Sequence, residues 1–346
     1  MSKRTKYTGG YVTKTEVIPT SSTATGVWSI QEALMYTKAG IYPVPTVARM
    51  LFNVGEIGGG TVLNTIETVL ATTTGNATDF GDATVARKGV AAAASTTRSV
   101  VAGGNNGSYY NTIDYSTFTS AGNATDFGDL AYARAFLNGG HSSSTRALFG
   151  NGSGSGGNQA ALDYITIAST GNGADFGDHF VSSNPPQGGA MTGSSTRAVQ
   201  AGGDTNNNND EDQMNYFTIS SLGNGTDFGN LVARRTQFTG ASSSTRAVYG
   251  YGYYNGNQSN VLEYITISST GNSTDFGDST LEIDTAGGEG GGTRGLYAGG
   301  GLSTGNLLAS IDFIEIASTG NASDFGDMTF VRRYVEPSSA KHGGNV

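Results

Sequence analysis

The sequence predicts an all-β fold: a closed ring of six four-stranded blades, a β-propeller. Two markers, each recurring six times, carry that expectation, and a composition rich in glycine and aromatic residues but poor in charge agrees with it. The first marker is Gly-Asn-Ala-Thr-Asp-Phe-Gly-Asp at 75–82 and 122–129, with variants at 171–178, 223–230, 271–278 and 320–327. The second is an arginine followed by a short apolar run: Arg98, Arg146, Arg197, Arg246 and Arg294, with Arg49 in the sixth place. Successive arginines lie 49, 48, 51, 49 and 48 residues apart, a period that suits one blade. The 54 glycines supply turn positions with positive φ, while 17 Tyr and 15 Phe are more than a disordered chain carries.

One unit shows the expected strands in order. Val232 to Phe238 is read as the first strand, and 241–245 as the turn after it. Arg246 to Gly250, short and mostly apolar, is the second strand, buried between neighbouring blades. A variable loop, 251–260, leads to the third strand, Val261 to Ile267, whose alternation marks one buried and one wetter face. The turn Gly271-Asn272 reverses the chain into the fourth strand around Asp275-Phe276-Gly277-Asp278. The array enters at the second strand (Arg49) and ends on a segment that reads as a first strand, Phe330 to Val335. That arithmetic predicts one blade shared by the two ends of the array, which leaves no unpaired strand edge.

Two regions are expected: 1–48, an attachment segment, and 49–346, the propeller. Residues 1–25 read as an extended arm, and Ser29 with Glu32 makes a capping box for one short helix that Gly40 stops. Five basic residues and two acids give 1–48 a balance of +3, against −12 for the rest, within a total of −9. An acidic body repels phosphates, so no nucleic-acid partner is expected. No signal peptide and no membrane span are expected, because no apolar run is long enough. With no cysteine, disulfides and thiol chemistry are excluded.

The Arg-x-Val-Tyr-Gly strands, the Tyr-Ile-Thr-Ile strands and the Thr-Asp-Phe-Gly-Asp turns resemble kelch-type propeller repeats in virion proteins of marine tailed phages, over about 49–341. The segment Gly26-Val27-Trp28-Ser29-Ile30-Gln31-Glu32 through Ala39-Gly40-Ile41-Tyr42-Pro43 resembles a leader of phage structural proteins. The resemblance implies a non-enzymatic virion component, in a tail fibre or appendage, oligomeric in its assembly. It would join other virion proteins through 1–48 and face a host-surface glycan or receptor. A free lectin-like propeller and a polysaccharide-degrading enzyme are the rival readings.

Asp-Phe-Gly is not a kinase motif here, since the glycine-rich loop, strand lysine and His-Arg-Asp loop that accompany it are missing. Six copies in register make it architectural. Its first aspartate is present in every unit, as Asp79, Asp126, Asp175, Asp227, Asp275 and Asp324; the second becomes Asn230 in one. The arginine and this aspartate both fall near one face of the disc, so a hydrogen-bonded Arg–Asp pair in each blade, or between neighbouring blades, is expected. His141, His179 and His342 show no ligand spacing and read as surface residues; no metal or cofactor is expected. The Asn-x-Ser/Thr sites are read as turns. The variable loops lie on the opposite face, and Tyr109, Tyr110, Tyr251, Tyr253 and Tyr254 within them are the candidate ligand-binding residues.

Overall fold

The computed structural model describes residues 48–179, 185–205 and 210–344; the arm and helix expected within 1–48 lie outside them, but for Ala48. Antiparallel blades form a ring, the expected six-bladed β-propeller. From the axis outward, blade 2 is Ala91–Ala94, Arg98–Ala102, Thr112–Thr117 and Thr125–Asp129. Blade 3 is Gly140–Ser142, Arg146–Phe149, Ala161–Thr166 and Ala174–Asp178. Blade 4 is Ala190–Gly193, Arg197–Asp204, Asp210–Thr218 and Thr226–Thr236. Blade 5 is Thr239–Ser242, Arg246–Gly250, Val261–Thr266 and Thr274–Asp278. Blade 6 is Gly287–Gly290, Arg294–Ala298, Ser310–Glu315 and Ser323–Asp327.

Blade 1 draws on both ends of the array. Its innermost strand is Glu336–Ser339, followed by Arg49–Ile57, Thr61–Leu70 and Thr78–Asp82. Met50 to Asn53 pair with Ser339 to Glu336, so the blade is shared as expected. The strand that closes it is corrected: 330–335 is the approach to the axis, and its β-pairing with the blade is confined to the bridge between Glu56 and Arg333.

The same correction holds in blade 5. Val232 to Thr236 extend the outer strand of blade 4, where Arg235 and Thr236 pair with Tyr254 and Tyr253, while the innermost strand is Thr239–Ser242. Bulky apolar residues suggested strands at the wrong place because the axis demands small ones. A Cβ on Gly140 would lie 2.4 Å from the Ala92 carbonyl oxygen, and one on Gly290 1.8 Å from that of Ser242. Strands that converge this closely are built from Ala91–Ala94 or Gly287–Gly290, which have little β propensity of their own.

Apolar burial lies between blades rather than within them. Val100 and Phe127 of blade 2 pack with Phe149 and Ile165 of blade 3 in one cluster, and each of the other interfaces has its own. No blade can therefore bury its faces alone.

The described residues end on a tight turn, His342–Gly344, against the innermost strands. His342 Nε2 lies 2.8 Å from Ser142 Oγ, and its ring meets that of His141 edge to face at 5.2 Å. His141, His179 and His342 are all buried, which corrects their reading as surface residues. Burial, helped by the neighbouring His342, pushes His141 down to about 3, so both rings of the pair pack as neutral imidazoles. No helix among the described residues is long and apolar enough to cross a membrane.

Removing 336–346 deletes the innermost strand of blade 1 and bares the Arg49–Asn53 edge. The truncated chain is expected to lose its cooperative thermal transition and to aggregate on size-exclusion chromatography. A truncated chain that melts like the full-length protein would contradict closure by this strand.

Candidate binding face and axial cavity

The repeat residues are consumed by the ring itself. At every interface the Gly-Asn turn of one blade docks on the outer strand of the blade before it. At the first, the Gly122 N–H donates to Phe80 O (2.7 Å), Ala124 N–H to Asp82 O (2.7 Å), and Asp82 N–H to Asn123 Oδ1 (3.1 Å). The ring closes with the same three bonds: Gly75 to Phe325, Ala77 to Asp327, and Asp327 to Asn76. The glycine of Asp-Phe-Gly is dictated by this contact. Gly81 has φ 150°, and a Cβ there would stand 2.3 Å from Gly122 O. The sequon asparagines are thus acceptors in the inter-blade clasp.

The expected Arg–Asp pairs do not form. Arg98 stacks over Tyr115 of its own blade at 4.6 Å and donates to the Ile167 and Ala168 carbonyls of the next. Arg146, Arg197 and Arg246 repeat this with Ile219, Ile267 and Ile316. Arg294 pairs instead with Glu315 at 2.7 Å, and Arg49 lies over Phe80. Carbonyls left by the turn present a better-aligned acceptor than the aspartates, which point outward: Asp79, Asp126, Asp175, Asp227, Asp275 and Asp324 are all exposed on the outer strands. Each of those strands is a sheet edge, and a charge there discourages edge-to-edge pairing.

A second set of ion pairs is not visible in the sequence markers. Arg87–Asp114 (3.0 Å), Arg134–Asp163 (3.2 Å), Arg235–Glu263 (2.6 Å) and Arg332–Glu67 (2.6 Å) are buried to within 1% of full enclosure. Each joins the linker that enters a blade to that blade's third strand. Two blades vary the theme: Asn215 meets His179 at 2.8 Å, and Asp312 accepts from Tyr251 and Thr280. The signal was present as an acid, or Asn215, before an aromatic in the third strand of five blades, with Glu67 before Thr68 in blade 1. The paired arginine, however, lies 27 to 29 residues away in three blades and 265 in blade 1, out of reach of local pattern reading.

On the opposite face the candidate tyrosines divide. Tyr109 and Tyr110 are half-buried, with the Tyr110 hydroxyl donating to Asn106 Oδ1 at 2.8 Å. Tyr253 and Tyr254 are half-buried in a short hairpin, and the Arg235 guanidinium covers the Tyr254 ring at 4.7 Å. Tyr251 is fully buried, donates to Asp312 Oδ2 at 2.9 Å and packs on Tyr297, so it is a core residue and leaves the candidate set.

These loops surround the mouth of the axial channel, where a cavity of about 340 Å³ is lined by the residues that begin the innermost strands, with Tyr109 and Ser153 from the loops and Asp204 from the end of its strand. Six equivalent residues ring it in the left-handed region: Gly89, Phe136, Gly188, Gln237, Thr285 and Tyr334, with φ between 51° and 63°. Five bonds run from one to the next, Phe136 N–H to Gly89 O through Tyr334 N–H to Thr285 O. Thr285 is β-branched and pays for this conformation in strain, eased by its hydroxyl bonds to Asp284. The Phe136 and Tyr334 rings meet edge to face at 5.6 Å. At the rim Lys88 and Arg333 both bind Glu56; burial alone would push that carboxyl up, but the two cations hold it below its ordinary range.

Two carboxyls, Glu289 of blade 6 and Glu336 of blade 1, line the cavity. Burial lifts each to about 8; their proximity adds to the rise at Glu289, while N–H groups of Gly290 and Ala92 oppose it. No family model matches the chain, and a search of curated proteins finds no match.

Two substitutions at the clasp separate strain from contact. Gly81→Ala and Gly122→Ala impose the same backbone penalty (φ 150° and 152°), but only the first meets the neighbouring blade. Gly81→Ala should cost about 2–3 kcal/mol more than Gly122→Ala in chemical denaturation. Equal losses would show that the contact is dispensable. Glu289→Gln tests the buried acid. An unfolded carboxyl titrates near 4.5 and the folded one near 8, so ionisation favours unfolding as pH rises across that window. The variant should match the parent at pH 4.5 and gain stability over it by about 1 kcal/mol per pH unit toward pH 8. A pH-independent difference would contradict this.

Proposed function

We propose that this chain is a non-enzymatic display protein of virion type, a propeller that presents its loop face to a host-surface saccharide or receptor. In this reading residues 1–48 join it to neighbouring subunits of an oligomeric appendage, and it acts on the particle rather than as a free protein. The observation that carries the reading is where the six-fold pattern breaks. The repeated Arg, Asn, Phe and Gly are occupied in holding blades together. The non-repeating side chains Tyr109, Tyr110, Tyr253 and Tyr254 gather on the loops of one face, half-exposed and anchored through neighbours. Aromatic faces beside Asn, Ser and Gly suit sugar rings and peptide surfaces, and a rigid scaffold lowers the entropy lost on binding. The resemblance of the repeats to phage virion propellers supports the setting.

The test is adsorption. Particles carrying Tyr110→Ala with Tyr254→Ala should adsorb to host cells at least tenfold more weakly, while the purified variant melts within a few degrees of the parent. Unchanged adsorption contradicts the attachment role. Absence of the protein from purified particles, with glycan binding retained, would favour the free lectin-like reading.

A further inference from the structure

We propose that the axial cavity is a binding site for an organic ammonium ligand, its charged nitrogen held between Glu289 and Glu336 and its carbon skeleton against Phe136 and Phe238. This does not depend on the attachment role. The first ground is the contrast with the rest of the chain. The buried acids Glu67, Asp114, Asp163 and Glu263 each have a buried arginine within 3.2 Å. Asp312 has two hydroxyls. Among the described residues neither Glu289 nor Glu336 has such an ion-pair partner. Glu289 is only 6% exposed and accepts one N–H, that of Gly290, from its own strand.

The second ground is position. In the register of the innermost strands, Glu289 stands where the other blades have Ala93, His141, Thr192, Ala241 and Ser338. Glu336 likewise replaces Ala91, Ala190, Thr239 and Gly287. Apart from His141 these positions hold small residues in the other blades, so two glutamates on adjacent strands are not explained by the repeat. The third ground is the lining. Its titratable side chains are Tyr109, Asp204, Glu289, Tyr334 and Glu336, and no Lys or Arg lines it. A bare metal ion would leave most of 340 Å³ empty, since a single water needs only about 10–15 Å³. Phe136, Phe238 and Met191 give apolar wall for a carbon chain, and an aromatic face attracts ammonium.

The experiment is calorimetric titration of the full chain with butylammonium chloride, with 1-butanol as the neutral probe of similar shape. Butylammonium should bind at least tenfold more tightly than butanol. Glu289→Gln and Glu336→Gln should each weaken it at least tenfold, and Asp79→Asn, on an exposed outer strand, should not. With both carboxyls raised to about 8, the unliganded cavity is largely protonated at pH 7. Binding there should therefore release protons, read from the dependence of the heat on buffer ionisation enthalpy. That arm uses the unaltered protein and decides the matter even where a variant fails to fold. Equal binding of butanol, no proton release, or full affinity in both Gln variants overturns the proposal. Displacement of butylammonium by millimolar Ca²⁺ with no effect of alkyl length would overturn it in favour of a metal site.

Discussion

Everything in this ring depends on the docking of each Gly-Asn turn against the outer strand of the preceding blade. A four-stranded blade has apolar side chains on both faces and cannot hide them without neighbours on both sides. The clasp brings the blades to contact distance at the periphery, where the wedge-shaped gap between them is widest. Its three hydrogen bonds are nearly identical at the six interfaces, and the glycine beneath them leaves no room for a side chain. Arginine on its aromatic shelf adds a second grip on the same turn in four places. The buried Arg–acid pairs act nearer the axis, fixing the linker that delivers the chain into each blade. Such pairs contribute little net stability over well-packed apolar residues, but losing one partner costs about 3–5 kcal/mol because the other charge stays buried. They therefore enforce a single path through the linker.

Much of this was legible in the sequence, and what was not had a physical cause. The second, third and outer strands follow from apolar runs, alternation and the Gly-Asn turn, and Arg246 to Gly250 is a strand of those bounds. Shared closure followed from counting. The innermost strands were misplaced because crowding at the axis selects alanine, serine and glycine, which carry no strand signal. The role of the repeat arginine was misread for a related reason: its acceptors are main-chain carbonyls, which no side-chain motif announces. Tyr251 looked like its neighbours Tyr253 and Tyr254, and only the three-dimensional course of the loop turns it inward. Glu289 and Glu336 belong to no motif, so the cavity could not be found from the repeats at all.

The division of labour follows from symmetry. A residue needed at every interface recurs at every interface, and its chemistry is fixed by a neighbour that also recurs. Residues that differ from blade to blade are free of that demand, and in this chain they collect at the loop face and at the axial cavity. The strained backbone ring around the cavity belongs to both groups. Its conformation repeats six times, yet the side chains it carries range from glycine to Phe136, Gln237 and Tyr334. The scaffold thus holds a fixed frame in which different groups can be set toward one axis.

The most direct test of the clasp as the central constraint is native-state hydrogen exchange at its six glycine amides, Gly75, Gly122, Gly171, Gly223, Gly271 and Gly320, in rising denaturant. Because each interface supports the next around a closed ring, the opening free energies should converge on one value, that of global unfolding. The seam, where Gly75 meets Phe325, should open no more easily than the other five. A seam amide that exchanges through a separate opening several kcal/mol below the rest would contradict the account, leaving an open chain of blades instead of a cooperative ring.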